Sequence, residues 1–109
     1  MNTHLEEDFH IKVSKGVDAA TLHLDGNFNF RAYSLFKDAY VKLLDDSIVN
    51  SVSIDLARVE RLDSFALGML LILRDRVRHA GKNLSLIRPS KIVKKSFDIA
   101  NFSRIFSIH

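Results

Sequence analysis

The spacing of apolar residues changes along this chain between the period of a β-strand and the period of an α-helix. Strands that alternate with helices are typical of an α/β protein, because each helix packs its apolar stripe on a sheet. The strand-like stretches are residues 9–14, 20–25, 51–57 and 83–87. The helix-like stretches are residues 32–44, 65–79 and 91–100.

We therefore predict one domain spanning residues 1–109, with a core from about 9 to 108. Its fold is a small mixed β-sheet of four to five strands with three to four helices packed against it. A short turn at Gly16 makes the first two strands antiparallel, whereas a helix joins the third and fourth strands and makes them parallel. Gly81 suits the left-handed backbone just past a helix end, and residues 104–109 form a short strand or an extended finish.

The composition is that of one globular domain. The chain has 109 residues, of which 47% are hydrophobic and 27% are charged, and it has no cysteine that could form a disulfide or a thiolate metal site. No run approaches the roughly 20 apolar residues that cross a bilayer, and the polar, acidic beginning differs from a secretory signal. We expect a cytoplasmic protein that does not insert directly into a membrane.

The sequence contains no recognisable catalytic or cofactor pattern. Its five histidines, the first of them His4, lack metal-ligand spacing. It also has no glycine-rich phosphate loop, nucleophile elbow or paired carboxylates. We predict that the protein is not an enzyme and holds no cofactor or metal.

The later part of the chain is locally basic, although the net charge is only +3. A solvated rim explains this segment, and an anionic surface as partner is the alternative. Aromatic residues are not interleaved with these charges, so we predict no binding to nucleic acid. The basic residues and the histidine among them are Arg74, Arg76, Arg78, His79, Lys82, Arg88, Lys91, Lys94 and Lys95.

The helix predicted at residues 65–79 is apolar on more than one side. One stripe, suited to the core, consists of Ala66, Leu70, Leu73 and Val77. A second stripe consists of Phe65, Met69 and Ile72, and Leu67 and Leu71 occupy the opposite flank. Either neighbouring helices bury these flanks or they form a docking surface for a protein partner. If the flanks form a docking surface, substitution of Phe65 or Met69 by alanine should weaken partner binding and change the free energy of unfolding by less than about 1.5 kcal/mol.

Ser64 stands directly before this helix. Either Ser64 or Asp63 can cap the helix by accepting a hydrogen bond from a backbone N–H group. A phosphate on Ser64 would add a charge of roughly −1.5 to −2, which a helix amino terminus tolerates. A partner that buried this charge against an apolar or acidic surface would be repelled.

The segment "SIDLARVERLDSFALGMLLILRDRVRHAGKNLSLIRPS" resembles the STAS family, specifically the bacterial anti-sigma factor antagonists. The shared pattern is a strand ending in Asp-Leu, then Asp-Ser, a Leu-Gly-Leu-Leu helix, a glycine, a strand and Pro-Ser. The closing segment "SFDIANFSRIFSI" is similar to the last helix and the C-terminal end of the family's sequence pattern, with Asn101 at a position where glycine is frequent. Asparagine is the next best residue for a left-handed turn. The likeness extends from about Phe9 to Ile108.

The resemblance implies a function in partner switching. In the family, the serine that falls on Ser64 is phosphorylated by an anti-sigma factor that acts as a kinase, and a serine phosphatase restores it. The unphosphorylated form binds the anti-sigma factor and releases the sigma factor. The Ala-Leu-Gly-Met-Leu-Leu variant looks like members that answer to response regulators with phosphatase and kinase modules, often in motility or biofilm control.

The family's contact surface maps onto the loop after the second strand, around Gly26, and onto the helix that follows Ser64. Three departures from the family pattern affect this surface: Phe65 and Ala66 replace a second hydroxyl and a glycine, and Asn29, which can cap the first helix, replaces an acidic residue. The expected partner-binding residues are Asn27, Phe28, Asn29, Asp63, Ser64, Phe65, Leu67, Gly68, Met69 and Ile72. The alternative function is that of a non-switching STAS module in a membrane transporter or a lipid-transport complex.

Overall fold

The computed structural model describes residues 8–109; the polar beginning of the chain, with His4, lies outside the described residues. Two short 3-10 turns, Phe30–Ala32 and Phe102–Arg104, precede the first helix and the last strand. The strands are β1 (Phe9–Lys15), β2 (Ala19–Phe28), β3 (Ser51–Leu62), β4 (Asn83–Ile87) and β5 (Ser107–Ile108). The helices are α1 (Tyr33–Asp45), α2 (Ser64–His79) and α3 (Lys91–Ile99).

The five strands form one mixed sheet in the order β1-β2-β3-β4-β5. β1 and β2 are antiparallel, and each later pair of neighbours is parallel, so the predicted α/β class, the antiparallel first pair and the parallel pairing of β3 with β4 are confirmed. β5 is a strand of two residues. Among residues 8–109, no helix is both long enough and apolar enough to span a bilayer.

β2 and β3 extend further than the sequence indicated. The sequence pattern predicted that the second strand ends at residue 25 and that a loop around Gly26 follows, but β2 runs to Phe28 and pairs with β3 through two irregularities in register. Gly26 permits this extension: its φ is +105°, and a Cβ atom there would lie 2.0 Å from the carbonyl oxygen of Asp8. The glycine that suggested a turn instead allows β1 to approach a bulged strand closely.

The core lies between one face of the sheet and the three helices. The predicted stripe of α2 is buried completely, since Ala66, Leu70, Leu73 and Val77 are at most 1% exposed. Phe36 and Tyr40 of α1 cover the same core, whereas Leu35, which fits the helical spacing, is 49% exposed. The stripe thus determines which residues of α2 point away from the sheet.

Leu70→Ala should lower the free energy of unfolding by about 2–5 kcal/mol, because it leaves a cavity at a position with no exposed surface. Leu71→Ala is the matched control on the same helix, where the side chain is 39% exposed and we expect a loss of less than about 1 kcal/mol. Urea unfolding of both variants measures the difference. Equal losses would contradict the assignment of the two faces.

Candidate partner-docking site

The start of α2 is organised by Asp63, which follows β3 directly. Its backbone is extended, and its Oδ1 accepts the N–H of Ala66 at 2.9 Å, so Asp63 is the helix cap. The N–H of Leu67 donates to the backbone carbonyl of Asp63 at 3.2 Å. Ser64 is the first residue of the helix, and it is exposed. The structure thereby decides between the two capping candidates and leaves the Ser64 hydroxyl outside the capping role.

Beside Ser64 lies an apolar groove between α1 and α2, with a volume of about 340 Å³. Phe65 and Ile72 are 65% and 47% exposed along the groove, and Tyr33 of α1 is 46% exposed. Such clustered apolar exposure is uncommon on a small domain and marks a surface that a partner can cover. The groove is lined by Tyr33, Ser64, Phe65, Gly68, Met69 and Ile72.

Two aromatic residues at this surface were missed by sequence reasoning. Phe30, 58% exposed, places its ring 6.0 Å from that of Phe65, and together the rings join the 3-10 turn to the start of α2. Tyr33 lies on the opposite wall from Ile72. Tyr33 lies outside the core side of α1 that Phe36 and Tyr40 occupy, and Phe30 lies just before the helix, so large aromatic residues away from the core spacing are the signal that could have identified both.

Basic side chains border the aromatic surface. The Arg31 guanidinium lies 5.9 Å from the centre of the Phe30 ring, and the Lys37 ammonium lies 5.7 Å from the centre of the Tyr33 ring. Contacts at these distances are within the range of cation–π attraction. The groove thus combines an apolar floor with cationic edges, a composition suited to a protein partner that carries carboxylates around apolar side chains.

The predicted site residues of α2 divide into three groups. Phe65, Gly68 and Ile72 line the groove together with Ser64. Met69 also lines it but is only 6% exposed, so this side chain belongs to the core as well, and Met69→Ala should cost more than the limit of about 1.5 kcal/mol expected for a side chain that only flanks the core. Leu67 is half-buried against the core and is not among the residues that line the groove.

The residues predicted around the end of β2 are also corrected in part. Phe28 is fully buried, and its ring stacks on that of Phe9 at 5.4 Å, so it is a core residue that cannot reach a partner. Asn27 is half-buried within β2. Asn29 is half-buried too, and its Oδ1 accepts the N–H of Arg31 at 2.9 Å, so it caps the 3-10 turn that precedes α1, whereas the sequence had suggested that it caps α1 itself.

A separate polar cluster connects the strands on the other side of the sheet. Asp55 of β3 accepts hydrogen bonds from Arg88 and from the Ala57 N–H, and its Oδ2 lies 2.7 Å from Nδ1 of His23. The other ring nitrogen of His23 lies 2.9 Å from Oγ of Ser14. The order of these contacts resembles a hydrolase triad, but here the Arg88 guanidinium donates to both carboxylate oxygens of Asp55 and balances its charge. We interpret the cluster as a structural tie between β1, β2, β3 and the end of β4.

The tie changes the titration of Asp55. Burial alone would raise the pKa of this carboxyl, but the hydrogen bonds from Arg88, the Ala57 N–H and His23 outweigh burial and hold the pKa below its ordinary value of 3.8. Arg88 adopts a positive φ of 52° to make its contact, a conformation that costs energy for a residue other than glycine.

Residues 8–109 match the family model described as STAS domain. This chain belongs to the STAS domain family. A STAS-domain containing protein of Pseudomonas aeruginosa (strain UCBPP-PA14) is 38% identical over 88 residues, which cover 81% of this chain and 85% of that protein.

Solved structures share the fold of this STAS domain. An anti-sigma factor antagonist from Mycobacterium paratuberculosis aligns with a TM-score of 0.82 at 15% identity, covering 93% of this chain and 85% of that one. The anti-sigma factor antagonist SpoIIAA, in its unphosphorylated form, aligns with a TM-score of 0.76 at 15% identity, covering 92% and 88%. At such identity the likeness establishes the fold alone.

Asp63→Ala should lower the free energy of unfolding by about 0.5–2 kcal/mol, because it removes the cap of α2. Ser64→Ala should change it by less than about 0.5 kcal/mol, since the Ser64 side chain does not cap the helix. Chemical denaturation of the two variants gives the comparison. A larger loss for Ser64→Ala than for Asp63→Ala would show that the capping assignment is incorrect.

Stability should fall in acid partly through Asp55. Its folded-state pKa is lowered from 3.8, so its stabilisation is present above that pH and disappears as the pH falls through the lower folded-state value. Asp55→Asn removes this contribution. The variant should be less stable than the parent at neutral pH and should lose less stability on acidification, as measured by urea unfolding at a series of pH values. Parallel pH profiles for parent and variant would contradict the role of Asp55.

Proposed function

We propose that this STAS domain is a phosphorylation-switched protein-binding regulator. In its unphosphorylated form it binds an anti-sigma factor or an equivalent regulatory partner through the groove and relieves that partner's inhibition. A serine kinase, which can be the partner itself, adds phosphate to Ser64 and blocks binding. A serine phosphatase, alone or as a module of a response regulator, restores the binding form. The domain acts in the cytoplasm and by binding, without catalysis of its own.

The observation that carries this proposal is the position of Ser64. Its side chain is exposed at the first residue of α2, borders the apolar groove, and leaves capping to Asp63. A kinase therefore has access to the hydroxyl without unfolding the helix. Phosphate added there alters the edge of the docking surface and leaves the core stripe intact.

The two sides of an interface respond differently to a phosphate at this position. Within the free domain, unpaired N–H groups and the dipole of α2 favour an anion at the helix start, worth roughly 0.3–1 kcal/mol. A partner that covers Phe65 and Ile72 must instead remove water from the phosphate beside an apolar surface, which costs several kcal/mol. The same modification thus preserves the fold and disrupts the complex.

The comparisons support this function at the level of the family. The structural neighbours of the domain include anti-sigma factor antagonists, and one of them, SpoIIAA, has been solved in an unphosphorylated and a phosphorylated form. The Asp-Ser pair of this chain stands at the start of an apolar helix, and this position supports Ser64 as the modified residue of the proposed switch. The cationic edges at Arg31 and Lys37 favour a partner surface that is apolar and acidic.

The test compares Ser64→Asp with Ser64→Ala as baits for the natural partner. Ser64→Ala should retain the partner, and Ser64→Asp should reduce its affinity at least tenfold, because a negative charge then lies at the edge of the buried surface. Both variants should unfold at nearly the same denaturant concentration. Binding of the identified, purified partner is measured by calorimetry, and phosphate on Ser64 is sought by mass spectrometry of the protein from its native cell.

Two further variants make this experiment specific. Ser103→Asp adds the same charge at an exposed serine outside the groove and should bind like the parent. Phe65→Ala should weaken binding with little loss of stability, since its side chain is 65% exposed. Equal binding by Ser64→Asp and Ser64→Ala would refute the switch and favour the non-switching module.

A further inference from the structure

Helix α3 exposes isoleucines that the core does not use. Val93 and Phe97 face the core and are at most 2% exposed, whereas Ile92 is 50% exposed and Ile99 is 78% exposed. At 100° per residue, Ile92 and Ile99 differ by only about 20° in direction and lie roughly 10 Å apart along the axis. They form one apolar ridge on the outer side of α3.

Lysines accompany this ridge. Lys91, Lys94 and Lys95 are exposed on α3, and Lys95 falls on the wheel next to Ile99, directly opposite the buried side of the helix. Asp98 is the single carboxylate of the helix. The exposed Arg104 lies in the 3-10 turn that follows α3. The outer side of α3 therefore combines an apolar ridge with a cationic surround. We call Lys91, Ile92, Lys95 and Ile99 the basic ridge.

We propose that the basic ridge binds the surface of an anionic lipid bilayer. The domain would lie against the headgroups, with no helix crossing the membrane. The two isoleucines enter the headgroup boundary, while the lysine stems lie along the apolar layer and their ammonium groups contact lipid phosphates. This role is separate from the docking groove, which shares no residue with the ridge.

The pairing of aliphatic and basic side chains favours a lipid surface over other anions. A nucleic acid offers phosphates to the lysines but gives exposed isoleucines nothing to bury against, and α3 presents no exposed aromatic ring for base stacking. A bilayer satisfies both parts of the ridge at once, because its surface is anionic and its boundary with the acyl chains is apolar. Each basic side chain near such a surface strengthens binding about fivefold at low salt.

The experiment is cosedimentation of the 109-residue chain with vesicles rich in phosphatidylglycerol, and with vesicles of phosphatidylcholine alone. We expect binding to the anionic vesicles only, and weaker binding at high salt. Lys91→Glu/Lys95→Glu should reduce the partition at least tenfold. Ile99→Ser should reduce it about fivefold without a change in net charge.

The matched control is Lys12→Glu/Arg58→Glu, which makes the same change in net charge at two exposed residues of the sheet, one on β1 and one on β3. It should retain most of the binding. Circular dichroism melting verifies that each variant is folded, and Ile99→Ser alone decides the matter if the charge variants are unstable.

Three results would overturn the proposal. They are absence of binding to anionic vesicles at low salt, equal losses for the control and the ridge variants, and unchanged partition for Ile99→Ser. If Ile99→Ser leaves the partition unchanged and the domain binds a short DNA duplex as well as it binds anionic vesicles, the ridge is a general polyanion surface. Because the vesicles contain no protein partner, none of these outcomes depends on the switch at Ser64.

Discussion

The packing of α2 on the sheet is the constraint on which the rest of this structure depends. Ala66, Leu70, Leu73 and Val77 have almost no exposed surface, so their burial fixes the rotation of the helix about its axis. With that rotation fixed, Phe65 must point outward. The exposed groove is therefore a geometric consequence of how tightly the opposite stripe is buried.

The junction between β3 and α2 separates two tasks between neighbouring residues. Asp63 provides the hydrogen bond that begins the helix, and Ser64 presents a hydroxyl at the edge of the groove. If one residue did both, modification of the hydroxyl would remove the cap and weaken α2. Because the tasks are separate, charge can be added to the surface at little cost to the fold. The tie through Asp55 and Arg88 stabilises the sheet on its other side, away from this junction.

Several features were predictable because they depend on local chemistry. The stripe of α2, the left-handed backbone at Gly81 and Asn101, and the antiparallel first pair of strands all follow from spacing or from a single residue's conformational range. The end of β2 was not predictable in this way. Gly26 and Asn27 indicate a turn in isolation, but bulged pairing with β3 continues the strand and carries Phe28 into the core.

The sequence by itself determined the α/β class, the core side of α2 and the presence of an Asp-Ser pair at a helix start, because periodicity and capping act over a few residues. Only the tertiary structure decided which exposed apolar residues meet. Phe30 and Phe65 are 35 positions apart in the chain, and their rings approach to 6.0 Å only because β2, β3 and α2 bring two helix starts to the same end of the sheet. The tertiary structure likewise decided that Met69 is buried while Ile72 is exposed, because the spacing of residues in α2 does not show how close α1 lies.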